Sequence, residues 1–321
     1  MRLRSLLHAL RFDGLWWRKL AFQGSVYWPD WWKRWSPPWV ALIIFLCAGR
    51  NRRGAVANMR RVLGGQGVVR DYWHGLRVFI AFARCLTETL EYFSPRPQPM
   101  RFEKPLRDPI SAALARGRGA ILVTCHFGNW DVAARGFADL GARVNLVMAR
   151  EANATTADYV RRAREEAGLR VLLSDTSFFS PFNMLRALKR NEVVALQLDR
   201  PRTPEGARAV EFFGAPASFQ SGALRLARIA GAPVFPVFVV RIGRRAYRIV
   251  LGPERQVPRA ASVEDVDHVL AGIVADFEAL VRRFPEQWFE FEPFWPDTAP
   301  GAADPAAPAA RPTGTRTAVT G

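Results

Sequence analysis

The stretch VTCHFGNWDVAARG, residues 123–136, holds a histidine and an aspartate at a spacing that suits acid–base chemistry. His126 follows an apolar run typical of a buried strand. Asp131 comes five residues later, in the first turn of a predicted helix whose predicted N-cap is Asn129. A carboxylate that binds one imidazole nitrogen fixes the tautomer and leaves the other nitrogen free to take a proton from a hydroxyl. We therefore predict that His126 is a general base and that Asp131 orients it.

The residues around this pair leave other interpretations open. Gly128 is expected to let the backbone approach a ligand, and the amides at the helix start to receive an oxyanion or a phosphate. An aspartate in a first helical turn also complements the helix dipole, and a histidine after a strand can be purely structural. A metal site is disfavoured because no other His or Cys lies nearby in sequence. Cys125 is expected to point to the opposite side of the strand as a core residue.

Strands and helices are predicted to alternate around this motif. Apolar runs predict strands at 119–125, 143–149, 170–173, 193–198, 232–240 and 246–252. Helical spacing predicts helices within 54–93 and at about 130–140, 155–167, 180–189, 219–230 and 263–283. This order predicts an α/β fold with a mostly parallel central sheet flanked by helices. His126 would then lie beyond the carboxyl end of a strand, where such sheets carry catalytic residues.

The N-terminal section is rich in tryptophan and in basic residues. Seven of the eleven tryptophans lie in the first 40 residues, and the whole chain carries a formal net charge of +17. Indole rings favour the headgroup layer of a bilayer, and Lys and Arg are attracted to anionic lipid. The longest uncharged run, residues 35–49, has 15 residues and two prolines, fewer than the roughly 20 apolar residues of a spanning helix. A helical membrane-interface section is therefore predicted; packing of these tryptophans on the protein's own core is the alternative.

Composition divides the chain into three parts. We predict a membrane-interface segment at 1–53, an α/β catalytic domain at 54–297, and a disordered tail at 298–321 rich in Ala, Pro, Gly and Thr. The three cysteines lack a C-x-x-C spacing, so neither a disulfide framework nor a zinc ribbon is expected, and a reducing, cytoplasmic-side environment follows.

Four sequence blocks together resemble the lysophospholipid acyltransferase superfamily. They are HFGNWD, VVALQLDRP (193–201), AVEFFGAPASFQSGALRLARIAGAPVFPVFVVR (209–241) and PEQWFEFEPFW (285–295). The chain is most similar, over roughly residues 50–295, to the branch that holds the lipid A (lauroyl/myristoyl) and phosphatidylinositol mannoside acyltransferases. The resemblance implies transfer of a fatty acyl chain from an acyl carrier protein or coenzyme A thioester to a lipid hydroxyl, with no other cofactor and no metal. It also implies a location at the cytoplasmic face of a bacterial inner membrane.

The resemblance also assigns residue roles. His126 and Asp131 occupy the histidine, four residues, acidic residue motif. Arg164 and Asp199 match polar positions near the family's site, which implies substrate positioning, although Arg161 or Arg162 fits the same register. Arg150 and Arg200 follow predicted strands, where they would meet phosphates of an anionic lipid or a phosphopantetheine carrier. Glu211 is a further candidate; otherwise it is a strand residue that faces solvent.

Other functions compatible with the sequence are kept as alternatives. One is lysophospholipid acylation in glycerolipid synthesis. Another is a basic nucleic-acid-binding protein, although no nucleic-acid-binding motif is recognisable and no nucleic-acid partner is expected. A third is a catalytically silent scaffold at the membrane. The acceptor lipid, the acyl length, the choice of donor and the oligomeric state are not predicted, nor is whether residues 35–49 span the bilayer or only enter it.

Overall fold

The computed structural model describes residues 24, 27–94, 97–103, 107–132, 143–148, 169–173, 180–201 and 206–295. Its longer helices are α1 (Asp30–Cys47), α2 (Gly49–Leu63), α3 (Val68–Tyr92), α4 (Arg107–Leu114), α5 (Ser180–Lys189), α6 (Gly222–Ala230) and α7 (Val263–Arg283). Its strands are β1 (Arg101–Glu103), β2 (Ala120–Thr124), β3 (Val144–Met148), β4 (Leu169–Leu173), β5 (Val193–Gln197), β6 (Ala207–Phe212), β7 (Ala215–Gln220), β8 (Val234–Gly243) and β9 (Ala246–Leu251).

Seven of these strands form one sheet in the order β1-β9-β8-β2-β5-β3-β4. All neighbouring strands run parallel except β8 and β9, which form an antiparallel pair. The predicted α/β fold with a mostly parallel sheet is therefore confirmed. The strands β2 and β5 lie in the middle of this order, so each has a neighbouring strand at both edges.

The two faces of the sheet have separate apolar cores. Along β2, Ile121 and Val123 belong to a large cluster with α6 and α7, whereas Ala120 and Leu122 belong to a cluster with α4. This alternation is the period of two that a strand imposes on its side chains. Cys125 continues the first set and is buried, as predicted.

A two-stranded hairpin, β6 and β7, packs beside the sheet and was not among the predicted strands. Its turn is tight, because Phe213 and Gly214 both have positive φ values, 51° and 71°. Phe212 and Phe219 point inward and are fully buried in an aromatic cluster with Trp288, Phe294 and others. The helix predicted at 219–230 therefore begins only at Gly222, because residues 215–220 pair with β6.

The helices α1, α2 and α3 pack against one another at the N-terminal side of the described chain. Ala41 and Phe45 of α1 are buried with Ala55 of α2 and Phe79 of α3. The opposite side of α1 leaves several tryptophans exposed. Across the described residues, the helices lack the combination of length and apolar character needed to cross a membrane.

Some predicted elements lie outside the described residues. These are the helix at 155–167, the part of the helix at 130–140 that follows Val132, the first 23 residues and the tail at 298–321.

A glycine on α2 tests the packing of the C-terminal segment. A Cβ added to Gly54 would lie 2.3 Å from the carbonyl oxygen of Phe291. We expect Gly54→Ala to lower the free energy of unfolding by about 1–3 kcal/mol, the usual cost of overpacking. Gly49→Ala, in the same helix, is the matched control because its Cβ would meet only an Arg52 side-chain atom at 3.9 Å. Urea denaturation of both variants measures the difference, and equal effects would contradict this packing.

Candidate active site

The parallel register of β2 and β5 brings two polar residues to one edge of the sheet. Thr124 pairs with Gln197 at the carboxyl ends of the two strands. His126 and Asp199 each follow two residues later, so both lie just beyond this edge. The ladder continues between them, since the Leu198 amide donates to the carbonyl of Thr124 over 2.9 Å.

A single buried carboxylate holds His126 at two points. Oδ2 of Asp199 accepts a hydrogen bond from the backbone amide of His126, and Oδ1 lies against the imidazole Nδ1, each over 2.8 Å. The Asp199 side chain is 0% exposed, whereas that of His126 is 23% exposed. A carboxylate acceptor at Nδ1 places the imidazole proton there, which leaves Nε2 with its lone pair free in the neutral ring.

This geometry changes the role expected for Asp199. The family resemblance implies that Asp199 positions the substrate, and the sequence spacing predicts that Asp131 orients His126. In the structure the carboxylate at Nδ1 is that of Asp199. Sequence proximity favoured Asp131, but the register of the sheet brings a residue 73 positions away into contact.

The charge on Asp199 is maintained despite its burial. Burial alone raises the pKa of this carboxyl. The charge and the two hydrogen bonds of His126, together with the charge of Arg200, lower the pKa by more than burial raises it. The pKa of Asp199 therefore lies below its ordinary value. The neighbouring Cys125 thiol has its pKa raised by burial and by Asp199. Cys125 is therefore a neutral core residue and not a nucleophile.

The backbone of the loop from His126 to Asn129 is bound on every side. Phe289 donates to the carbonyl of His126 over 2.7 Å, and the amide of Gly128 donates to the carbonyl of Gln287 over 2.8 Å. The amide of Asn129 donates to the carbonyl of Val239 over 3.3 Å. The amides of Gly128 and Asn129 therefore have protein partners and are not open to an oxyanion. The oxyanion or phosphate site expected at the amides of the helix start, which follow Asn129, stays a prediction.

Gly128 is required here by its contact with the neighbouring strand. Its φ is +58°, and an added Cβ would lie 1.7 Å from the carbonyl oxygen of Val239. The close approach expected for this glycine is therefore made to strand β8 rather than to a ligand.

Asn129 is the N-cap of the helical turn that follows, as predicted. Its Oδ1 accepts from the amide of Val132 over 3.4 Å. Asp131 lies between them in this first turn and is half-buried. Its role beyond that position stays a prediction.

The other predicted site residues have varied positions. Nε of Arg200 contacts Oε2 of Glu290 over 2.9 Å, and its Nη2 donates to the carbonyl of Phe289. Glu211 lies on β6 and is exposed, which agrees with the alternative of a solvent-facing strand residue. Arg150 and Arg164 lie outside the described residues, and their substrate roles stay predictions.

Sequence reasoning did not identify the C-terminal segment at 285–295 as the support of the loop. Gln287 and Phe289 bind the loop backbone, and Glu290 holds Arg200 next to Asp199. Asn58 of α2 is fully buried and fixes this segment, since its Nδ2 donates to the carbonyls of Glu290 and Glu292. The quoted block PEQWFEFEPFW was the only sequence signal for this support. Within the described ranges no three His, Cys, Asp or Glu residues are grouped to hold a metal ion.

The lowered pKa of Asp199 predicts a specific dependence of stability on pH. An aspartate in an unfolded chain has a pKa of about 4, and Asp199 stays ionised below that pH in the folded state. Its contribution to the free energy of unfolding is therefore complete above that pH and is lost as the pH falls through the lower pKa of the folded state. We expect the free energy of unfolding of the wild type to exceed that of Asp199→Asn at pH 5, and the gap to narrow towards pH 3. Urea denaturation at several pH values measures both proteins; a gap that is constant or widens would contradict this assignment.

Comparison with known proteins agrees with the resemblance of the quoted sequence blocks. The family model for the bacterial lipid A biosynthesis acyltransferase matches residues 41–296. A phosphatidylinositol mannoside acyltransferase of Mycobacterium tuberculosis is 30% identical over 191 residues, which cover 59% of this chain and 58% of that protein. The protein with the same name from Mycolicibacterium smegmatis is 29% identical over 189 residues, 59% of this chain and 60% of its own length. The chain thus spans less than two thirds of the relatives it matches. Because the family model covers well over half of the chain, this protein belongs to the bacterial lipid A biosynthesis acyltransferase family.

Proposed function

We propose that this acyltransferase moves a fatty acyl chain from a thioester to a hydroxyl of a glycolipid, with His126 as the general base. The observation that carries the proposal is the pair formed by His126 and Asp199. Asp199 accepts at Nδ1, so Nε2 is left as the proton acceptor on a side chain that is partly open to solvent.

The chemistry that follows needs few groups from the protein. Nε2 of His126 takes the proton of the acceptor hydroxyl as its oxygen attacks the thioester carbonyl carbon. The carbon–sulfur bond then breaks, and the imidazolium returns the proton to the departing thiolate, so the products are an ester and a free thiol. Asp199 stabilises the imidazolium between the two steps. The acyl thioester, on acyl carrier protein or coenzyme A, is the co-substrate, and no further cofactor enters.

The acceptor class is proposed from the family and its relatives. The family is described by lipid A biosynthesis, and the two relatives are named for a phosphatidylinositol mannoside. Both names describe sugar-bearing lipids. A glycolipid hydroxyl is therefore proposed ahead of a lysophospholipid hydroxyl.

Substitution of His126 tests the proposed base. We expect His126→Ala to lower kcat for acyl transfer at least about a hundredfold, and Asp199→Asn to lower it by a smaller factor of about tenfold to a hundredfold. The control is His268→Ala, an exposed histidine on α7. Transfer of a labelled acyl group to membrane lipids, followed by chromatography of the products, measures all three variants.

The same assay separates the acceptor classes. Label in a sugar-bearing lipid supports the proposal, whereas label only in a diacyl glycerophospholipid would replace it with lysophospholipid acylation. Full transfer by His126→Ala would contradict the role of the base.

We further propose that α1 docks on the cytoplasmic face of a bacterial inner membrane. Its outer side carries an apolar stripe at helical spacing, which we call the tryptophan stripe and which consists of Trp31, Trp35, Trp39, Ile43 and Leu46. Trp35 and Trp39 are 61% and 67% exposed. Surface that is this apolar and aromatic is typical of an interfacial helix, and the net charge of +17 favours anionic lipid.

Vesicle binding tests the tryptophan stripe. We expect Trp35→Ser/Trp39→Ser to weaken binding to vesicles with anionic lipid at least about tenfold, because two large exposed rings no longer enter the interface. Ile229→Ser/Val263→Ser is the matched control, since both residues are exposed and apolar but lie on α6 and α7. Vesicle sedimentation measures each protein, and an equal loss in both double variants would contradict the assignment of α1.

A further inference from the structure

A second polar cluster contacts the catalytic loop through Asn129. It joins Glu88 of α3, Arg241 of β8, Tyr247 of β9 and Asn129 of the loop. Glu88, Tyr247 and Asn129 are buried, and the Arg241 side chain is only 17% exposed. We call these four residues the loop clamp. None of them contributes to the proton transfer described above.

The hydrogen bonds of the loop clamp converge on the carboxylate of Glu88. Nε and Nη2 of Arg241 bind the carboxylate of Glu88, with 2.7 Å between Nη2 and Oε1. The hydroxyl of Tyr247 donates to Oε2 of Glu88 and accepts from Nδ2 of Asn129 over 3.0 Å. Burial, with Cys85 and Glu88 nearby, raises the pKa of Tyr247, so the hydroxyl keeps the proton that it donates.

Asn129 has its remaining groups bound as well. Nδ2 also donates to the carbonyl of Cys85 over 3.1 Å, and Oδ1 accepts from the hydroxyl of Thr89 over 2.8 Å while it caps the helical turn. The side chain of Asn129 therefore has one orientation that satisfies all of these groups. That orientation fixes the chain three residues after His126.

Burial of such a polar network costs free energy, so we expect the network to provide something that apolar packing does not. Apolar side chains of similar volume often stabilise a protein as well as a buried ion pair does. Directional hydrogen bonds, however, specify where a loop lies, since a displaced loop leaves buried polar groups unpaired. We propose that Glu88, Arg241 and Tyr247 are positioning residues, which act through Asn129 to hold the His126 loop in its reactive geometry.

The backbone of β8 provides a second connection to the same loop. The amide of Arg241 donates to Oε1 of Gln287, and Nε2 of Gln287 donates back to the carbonyl of Arg241. Gln287 in turn accepts from the amide of Gly128. Arg241 thus holds the loop through Glu88 on one side and through Gln287 on the other.

The test uses one conservative change and one matched control in the full-length chain. Tyr247→Phe removes only the hydroxyl that joins Asn129 to Glu88. Glu91→Gln is the control, because Glu91 is also a buried carboxylate of α3 bound to an arginine, Arg245, but contacts no loop residue through that side chain. Two readouts are taken: hydrogen–deuterium exchange of peptides that span residues 125–130, and kcat and KM for acyl transfer.

We expect Tyr247→Phe to speed exchange of the loop amides and to lower kcat about tenfold, the effect of one buried hydrogen bond, with KM nearly unchanged. We expect Glu91→Gln to leave the exchange rate of the loop amides, kcat and KM as they are in the wild type. Asn129→Ala combined with Tyr247→Phe should be no worse than Asn129→Ala alone, because both act through one contact.

The kinetic readout rests on the proposed function, but the exchange readout does not. If loop exchange is faster in Tyr247→Phe but the wild type transfers no acyl group, the proposed function is contradicted and the positioning role of the loop clamp is still supported. Loop exchange and kcat equal to the wild type in a folded Tyr247→Phe protein would overturn the clamp, as would equal effects of Glu91→Gln.

Discussion

The structure around the site depends on two hydrogen bonds to one buried carboxylate. Asp199 binds both the backbone amide and the imidazole of His126, so main chain and side chain are fixed together. A carboxylate with no exposed surface is stable only with such partners, and its lowered pKa reflects that they outweigh the cost of burial. The contact exists because β2 and β5 are parallel neighbours in register. The topology of the sheet therefore determines which carboxylate contacts His126.

The rest of the fold holds the loop against this carboxylate. The C-terminal segment binds the loop backbone and keeps Arg200 next to Asp199. Helix α2 fixes that segment through Asn58, and α3 contributes Cys85, Glu88 and Thr89 behind the loop. Helix α1, which carries the tryptophan stripe, packs on α2 and α3, and these two helices contact the loop and its support. Membrane docking and catalysis, as proposed, are therefore connected through the packing of these three helices.

Much of the fold follows from sequence pattern because apolar periodicity is a local signal. Continuous apolar strands between amphipathic helices predicted the parallel sheet and the place of His126 at its edge. The β6–β7 hairpin was missed even though Val210, Phe212, Ala217 and Phe219 alternate with exposed residues. The contact of His126 with Asp199 could not be inferred from spacing, because register between strands 73 residues apart is not encoded locally. The contact of Tyr247 with Glu88 spans 159 positions and has no local signal either.

Above all, we infer that Asp199 holds the proton of neutral His126 on Nδ1 and leaves Nε2 as the base. Nitrogen NMR of histidine-labelled protein reads this tautomer directly, since the chain has only four histidines and His126→Gln assigns the signal. We expect neutral His126 to be protonated at Nδ1 and Asp199→Asn to disturb this state. A neutral His126 protonated at Nε2 in the wild type would contradict it.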